Sequence, residues 1–114
     1  MNAMKPIIEY PDFEKLDIRI GKVVAGSEPD WSRKLLEFKV DFGKEIGEKT
    51  ILSGVRQWYK PEFFVGKMFC FIINLAERKM GEGVSQGMML MADDDAMPMP
   101  FPVAADVEPG TIVR

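Results

Sequence analysis

A helix signal interrupts the strand patterns of this chain at Val55-Arg56-Gln57-Trp58-Tyr59-Lys60-Pro61-Glu62-Phe63-Phe64-Val65-Gly66. Pro61 suits the first turn of a short helix, because the N–H that proline lacks would have no helical partner there. Gly66 suits the position just past the helix end. Strand-like segments lie on both sides, at 48–52 and 67–75. The sequence therefore predicts a strand, a short helix and a second strand across this region.

Strand patterns cover most of the remaining chain. Apolar and polar residues alternate, which is typical of strands with one buried face. The predicted strands are 18–24, 36–42, 48–52, 67–75 and 84–91. Gly21 predicts a bulge in the first strand, and the nearly continuous apolar run of the fourth predicts a central strand covered on both faces. Five strands with a short helix between the third and the fourth follow the order of an OB-fold, an all-β Greek-key barrel.

The segments at the two ends of the chain have weaker patterns. Asp12 is the predicted N-cap of a helix over 13–16. Three prolines within 97–102 remove strand hydrogen-bond donors, so this segment is predicted to be a loop or a protected edge. Pro109-Gly110 marks a turn before a last short strand over 111–114.

Composition excludes several classes of protein. The chain has 114 residues, 46% hydrophobic and 29% charged, as expected of one small globular domain. No apolar run reaches the roughly 20 residues that span a bilayer, and the first residues lack the apolar core of a secretory signal. We therefore expect a cytoplasmic protein that makes no contact with membranes. Cys70 is the single cysteine, expected to be buried and inert, and histidine is absent. Because no nucleophile–base arrangement or phosphate loop is found, we expect no catalytic residues, no metal and no cofactor.

The charge of the chain is unevenly spread. The formal net charge is −3, which by itself argues against nucleic acid as a ligand. Residues 1–80 hold 14 Lys and Arg against 12 acids, whereas residues 81–114 hold one Arg against six acids. Asp93-Asp94-Asp95 supplies three of those six and is interpreted as a solvated turn. The first part can therefore present a local basic face although the whole chain is acidic.

A series of short motifs occurs in the same order as in a known family: Phe13-Glu14-Lys15-Leu16-Asp17-Ile18-Arg19-Ile20-Gly21-Lys22-Val23-Val24, Lys34-Leu35, Ser53-Gly54-Val55, Tyr59-Lys60-Pro61-Glu62, Val65-Gly66-Lys67, Asn74-Leu75 and Ser85-Gln86-Gly87-Met88. Together they resemble the tRNA-binding domain appended to the C-terminus of many methionyl-tRNA synthetases. Similar domains also stand alone as dimeric tRNA-binding proteins, and a related branch is the CsaA-type export chaperone. The resemblance covers residues 12–114 and leaves residues 1–11 as an N-terminal arm.

The resemblance implies an OB-fold with extra C-terminal strands, paired into a homodimer, that binds tRNA by shape and catalyses nothing. The Ser-Gln-Gly-Met step at 85–88 is typical of the synthetase branch, whereas the chaperone-like branch tends to have Ser-Glu. The loop 28–35 departs from the family pattern at Trp31, although it keeps Lys34-Leu35. Trp31 could stack on an unpaired base or fold back as a lid over the barrel.

Eight residues form the candidate RNA site. Cations in loops can neutralise phosphates without reading bases, and these cations are Arg33, Lys34, Arg56, Lys60, Arg78 and Lys79. The family implies RNA contact for Ser85, whose hydroxyl could donate to a phosphate or a 2′-OH, and for Met88. The alternative for the cations is that they are solvated surface charges without a ligand. The alternative for Met88 is that it packs in the core.

The methionine-rich C-terminal third suggests other partners. Met97, Met99, Phe101 and Val103 alternate with prolines, so this apolar edge is predicted to pair with a second copy or to cover the barrel end. Our interpretation is a non-catalytic homodimer that binds tRNA, as a trans-acting accessory to a methionyl-tRNA synthetase. The alternative is a chaperone-like module that holds extended polypeptides in a methionine-rich groove, and a third possibility is a domain that only dimerises a larger enzyme.

Overall fold

A computed structural model describes residues 3–114. In chain order its elements are α1 (Tyr10–Glu14), β1 (Ile18–Ser27), β2 (Leu36–Asp41), β3 (Glu48–Ser53), a 3₁₀ turn (Pro61–Phe63), β4 (Met68–Ile72), β5 (Arg78–Met80), β6 (Gly83–Ser85), β7 (Met88–Met89), β8 (Met91–Asp93), β9 (Pro98–Pro100) and β10 (Ile112–Val113). The fold is therefore nearly all-β, with a single short α-helix among the described residues.

One antiparallel sheet forms the barrel, in the order β3-β2-β1-β4-β7. β1 is long enough to be shared: its first half pairs with β4 on one side and β10 on the other, and its second half pairs with β2. Two small hairpins, β5–β6 and β8–β9, lie outside this sheet. The strand order and the 3₁₀ turn between β3 and β4 confirm the predicted OB-fold with extra C-terminal strands.

Aromatic residues fill the barrel. The alternation of β2 is confirmed, since Phe38 and Val40 are fully buried while their neighbours in the strand are half-buried. The ring of Phe38 packs 4.7 Å from that of Phe64, and Phe42 packs edge-to-face on Phe71 at 5.2 Å. Such aromatic pairs add about 0.5–1.5 kcal/mol beyond the area they bury.

The predicted helix signal is confirmed as a single 3₁₀ turn. Pro61 occupies its first position and is itself buried, and Gly66 follows with a φ of +87°, which favours glycine. The turn delivers Phe64 into the core. The segment therefore both connects β3 to β4 and supplies a core side chain.

The predicted bulge of the first strand was wrong in its position. The irregularity in β1 falls between Val23 and Ala25, not at Gly21. Gly21 has another role: a Cβ there would lie 2.6 Å from the side chains of Phe42 and Val40, so the glycine lets β1 approach the core closely.

The N-terminal helix begins three residues earlier than predicted. Asp12 is not the N-cap but lies inside α1, and its carboxylate accepts the N–H of Glu9 at 3.3 Å. The predicted arm of residues 1–11 therefore contains the start of α1, and its first two residues lie outside the described residues. The division of the chain at residue 12 remains a prediction.

The fourth and fifth predicted strands also differ from the structure. In β4 only Phe69 and Phe71 are buried, so this strand is covered fully on one face and partly on the other. Cys70 lies on the partly covered face, and burial raises the pKa of its thiol. The segment 84–91 is not one strand; it is broken into β6, β7 and the start of β8.

The C-terminal segments follow the predictions. Asp93-Asp94-Asp95 is exposed and leads into a bend. The proline-rich segment forms β9, the edge of a two-stranded hairpin with β8. Gly110 turns with a φ of +93° before β10.

Candidate nucleic-acid interface

The loop 28–35 carries two of the candidate cations on a braced backbone. Arg33 and Lys34 are both exposed. The hydroxyl of Ser32 accepts the N–H groups of Lys34 and Leu35, each at 3.2 Å, which holds the turn that presents them. The two cations therefore project from a fixed turn.

Arg56 braces the same loop from the protein side. Its Nη1 donates to the carbonyl of Pro29 at 2.9 Å and to the carbonyl of Ser32, and its Nε lies 3.6 Å from a carboxylate oxygen of Glu28. Lys60 reaches the same carboxylate at 3.4 Å, but its side chain is 77% exposed whereas that of Arg56 is 26% exposed. Lys60 is therefore available to a ligand, and Arg56 positions the loop.

Arg78 and Lys79 were predicted to lie in a loop, and this was wrong. They lie on β5, where Arg78 pairs with Ser85 and Lys79 with Val84 across a two-residue turn, Gly81-Glu82. Both cations are exposed. Gly81 has a φ of +64°, as the first position of a type II′ turn requires. A hairpin holds the two charges more firmly than a loop would.

The Ser-Gln-Gly step closes the barrel. The Ser85 hydroxyl accepts the N–H of Leu52 at 3.0 Å and donates to the carbonyl of Gly87 at 2.9 Å. The Gln86 side chain accepts the N–H of Thr50 at 2.8 Å, and the Gln86 N–H donates to the carbonyl of Thr50, also at 2.8 Å. Side chains and backbone of this step thus pair with β3, where the sheet lacks a further strand.

Ser85 is consequently a poor candidate for direct RNA contact. Its side chain is only 3% exposed, and its donor and an acceptor lone pair are both used inside the protein. Met88, two residues past the Gln86 pairing, is 45% exposed, whereas Met89 is the residue that enters the core. Because consecutive side chains of a strand point to opposite faces, Met89 points into the core and Met88 points outward, where it is accessible to a ligand.

Trp31 folds back onto the protein, where its ring packs on the β5–β6 hairpin. A Cβ placed on Gly81 or Gly83 would lie 2.7 or 2.8 Å from the indole ring, so the ring covers both glycines. This contact joins the loop 28–35 to the β5–β6 hairpin. The exposed cations on these two joined segments and at the start of the 3₁₀ turn are together called the cation rim; they are Arg33, Lys34, Lys60, Arg78 and Lys79.

An apolar groove of about 680 Å³ lies beside the rim. Arg78 stands in its wall, together with Met80, Met88, Met89 and Met91. Further parts of its wall come from the end of β3, from Leu75-Ala76 and from the β8–β9 hairpin. The groove is thus rich in methionine, a side chain that adapts its shape to different apolar partners.

Other kinds of site find little support in the part of the chain that the structure describes. In residues 3–114 there is no group of three or more Cys, Asp or Glu side chains placed to hold a metal ion. Over the same residues, no helix combines the length and the apolar character that crossing a membrane requires.

Comparison with known proteins identifies the family. A family model described as "Putative tRNA binding domain" matches residues 18–112. The chain belongs to this tRNA-binding domain family. The match begins with β1 and ends within β10, so it spans the whole barrel and the rim.

Methionine–tRNA ligases are among the proteins similar to this chain. The enzyme of Bacteroides fragilis is 47% identical over 115 residues, which cover 96% of this chain and 16% of that protein. The enzyme of Clostridium acetobutylicum is 40% identical over 116 residues, covering 100% of this chain and 18% of that protein. The chain therefore spans about a sixth of the length of these relatives, as a tRNA-binding domain that matches one part of them.

Solved structures confirm the fold. A MetRS related protein from Pyrococcus horikoshii superimposes with a TM-score of 0.89 at 30% identity, covering 96% of this chain and 100% of that one. The chaperone CsaA of Bacillus anthracis has a TM-score of 0.86 at 22% identity, again over 96% of this chain and 100% of that one. At that identity the second likeness shows the shared fold alone.

Proposed function

We propose that this domain binds folded tRNA through the cation rim, by backbone charge and shape and without catalysis. The observation that carries the proposal is the Trp31 contact, which joins the loop that carries Arg33-Lys34 to the hairpin that carries Arg78-Lys79, on a domain of the tRNA-binding family. Lysine and arginine on phosphates give affinity that falls with salt and does not depend on base sequence. Selectivity would then come from the spacing of phosphates in a folded RNA.

A salt-titrated binding experiment tests this proposal. Binding of folded tRNA, unstructured RNA and an unfolded peptide is measured for the wild type and for the Arg33→Ala/Lys34→Ala variant. We expect tRNA to bind most tightly, and the variant to bind it more weakly, with a salt slope smaller by about one for each phosphate that is no longer neutralised. Lys44→Ala is the matched control, because Lys44 is exposed but follows the far end of β2.

The outcome against the proposal is equally clear. If wild-type protein shows no tRNA binding at low salt, or if the double variant and Lys44→Ala behave alike, the rim is not an RNA site. Tight binding of the peptide with no RNA binding would instead favour the second candidate function.

That second candidate is a polypeptide-binding module, and the methionine-lined groove is the observation that favours it. An extended apolar segment could lie along the groove, with Arg78 near one part of its wall and Asp93 near another. Met80→Glu would block peptide binding there, whereas it leaves the exposed cations of the loop 28–35 in place. Binding of tRNA has the stronger support, because the ligases share this domain at high identity.

We further propose that the domain works as a homodimer and as an accessory to a methionyl-tRNA synthetase in the cytoplasm. The C-terminal segment folds partly over its own barrel, since the N–H of Val103 donates to the carbonyl of Met68 at 2.9 Å. It nevertheless leaves Met99 and Phe101 nearly half exposed, and the N-terminal Ile7 is more exposed still. A second copy would cover such surface. Sedimentation of the purified chain tests this, and a monomer at micromolar concentration would contradict it.

A further inference from the structure

The indole of Trp31 occupies space that only glycine leaves open on the β5–β6 hairpin. Ring carbons of Trp31 lie 2.7 and 2.8 Å from the position of a Cβ on Gly81, and 2.8 and 2.9 Å from that of a Cβ on Gly83. A real Cβ would collide with the ring at either position. The tryptophan and the two glycines are therefore complementary in shape.

The backbone explains only one of the two glycines. Gly81 has a φ of +64° and would be favoured in this turn whatever packed on it. Gly83 is not among the residues with a left-handed φ, and it lies in β6 paired with Met80. Glycine weakens a strand unless something approaches its backbone closely. At Gly83 the approaching groups are the Trp31 ring and the side chain of Leu52.

Hydrogen bonds hold the backbone of the loop 28–35 on both sides of Trp31. Arg56 donates to the carbonyls of Pro29 and Ser32, which bracket Trp31 in sequence. Ser32 in turn holds the N–H of Lys34. A chain of contacts thus runs from the loop cations through Trp31 to the hairpin that carries Arg78 and Lys79.

We propose that Trp31 is a positioning residue, which locks the loop 28–35 to the β5–β6 hairpin so that the two cation pairs bind one RNA as a single preformed surface. The inference rests on the proposed function. Once one pair is bound, the other is presented at a high effective concentration instead of being ordered at the moment of binding. The arrangement matters because acids accompany the cations: Glu28, Asp30 and Glu82 lie in the same two segments, and Glu77 directly precedes the hairpin. Net charge alone would therefore attract RNA weakly.

Direct stacking of Trp31 on a base is the competing explanation, and a double-mutant cycle separates the two. Affinity for folded tRNA is measured for the wild type, Trp31→Ala, Arg78→Ala/Lys79→Ala and the combination of the two. If Trp31 couples the hairpin to the loop, removal of the hairpin cations should weaken binding at least about threefold less in the Trp31→Ala background than in the wild type. Direct stacking predicts the same weakening in both backgrounds and would overturn the proposal.

Gly83→Ala provides a second test, which adds a methyl group without removing any charge or aromatic ring. We expect it to weaken tRNA binding about as much as Trp31→Ala, and the two changes together to be no worse than Trp31→Ala alone, since both break the same packing. Trp58→Ala is the matched control, because Trp58 is the other, exposed tryptophan. Urea unfolding accompanies every variant, and Trp31→Phe replaces Trp31→Ala if the latter does not fold. Full additivity of Gly83→Ala and Trp31→Ala would contradict the coupling.

Fluorescence distinguishes failure of this inference from failure of the proposed function. In a Trp58→Phe background the emission reports Trp31 alone, and Gly83→Ala should shift it to longer wavelength and increase its quenching by acrylamide. If that shift occurs but wild-type protein binds no tRNA, the packing of Trp31 on the hairpin exists and the RNA function fails, which overturns both proposals. If wild-type protein binds tRNA and emission is unchanged by Gly83→Ala, the positioning role alone is overturned.

Discussion

The barrel is held together by the packing of aromatic side chains that have no exposed surface. The segments that carry the cation rim are held in place by a few hydrogen bonds and by the half-buried indole of Trp31. Phe38, Phe64 and Phe69 are fully buried and in mutual contact through Phe64. The loop 28–35 depends instead on Arg56, Ser32 and Trp31. Apolar burial resists unfolding of the whole domain, while the rim contacts fix only local geometry. Stability and RNA binding should therefore respond to different substitutions.

The largest expected effect is in the barrel. Phe38→Ala should lower the free energy of unfolding by about 3–5 kcal/mol, because it removes a buried ring and leaves a cavity beside Phe64. Urea unfolding measures the change. Phe63→Ala is the control, since Phe63 is 38% exposed and should cost less than half as much. Equal costs at the two positions would show that the barrel is not packed as described.

Ser85→Ala tests whether the hydrogen bonds of Ser85 contribute to the stability of the barrel or to the binding of tRNA. The substitution leaves the N–H of Leu52 and the carbonyl of Gly87 without their partner, so we expect a loss of about 1–3 kcal/mol in unfolding free energy. Ser27→Ala, at the exposed end of β1, should change little. If Ser85→Ala leaves stability unchanged but weakens tRNA binding, Ser85 is an RNA contact after all.

Arg56, which braces the loop 28–35, and Lys60, which belongs to the rim, sharpen the comparison further. Both reach the carboxylate of Glu28, but only Arg56 also holds two loop carbonyls. Arg56→Ala should destabilise the domain by about 1 kcal/mol and also weaken tRNA binding. Lys60→Ala should affect tRNA binding alone, because an ion pair this exposed contributes little to folding. Calorimetry measures the stability of each variant, and fluorescence anisotropy measures its binding of tRNA. If Lys60→Ala destabilises the domain and Arg56→Ala does not, Arg56 does not brace the loop.

The smallest effect concerns Cys70 in β4. Burial raises the pKa of its thiol, so the folded state disfavours the thiolate. The protonated thiol therefore contributes fully to the free energy of unfolding below the ordinary cysteine pKa of about 8.5. This contribution is lost as the pH rises through the higher pKa of the folded state. Alkylation of Cys70 should be slower in the folded protein than in urea at the same alkaline pH. Equal rates would show that the thiol is not shielded.

Patterns within one strand or turn were predictable from sequence. The alternation of β2 follows from the two-residue period of any strand, and Pro61 with Gly66 marks a turn by their own backbone restrictions. The breaks in the segment 84–91 were not visible, because its apolar residues look the same whether they form one strand or three. The strand under Arg78 and Lys79 was also missed, since its charged side chains face solvent.

The candidate site shows the same division. Exposed cations in the loop 28–35 could be named from sequence, because loop charges are solvated by default. The Ser85-Gln86 step was predicted to present small polar groups to RNA, but the sequence could not show that the hydrogen-bond partners of these side chains lie in β3. Arg56 looked like one more surface cation until its carbonyl partners were known.

The sequence by itself determined the barrel, the position of its 3₁₀ turn and the family, because strand periodicity, turn residues and short motifs each depend on residues that are close together in the chain. Tertiary structure alone decided which polar residues serve folding and which are exposed to solvent. That decision depends on pairs far apart in the chain, such as Ser85 with Leu52 and Trp31 with Gly83. A hydrogen bond or a van der Waals contact acts only over a few ångströms, and no local pattern records which distant segment will fill that distance.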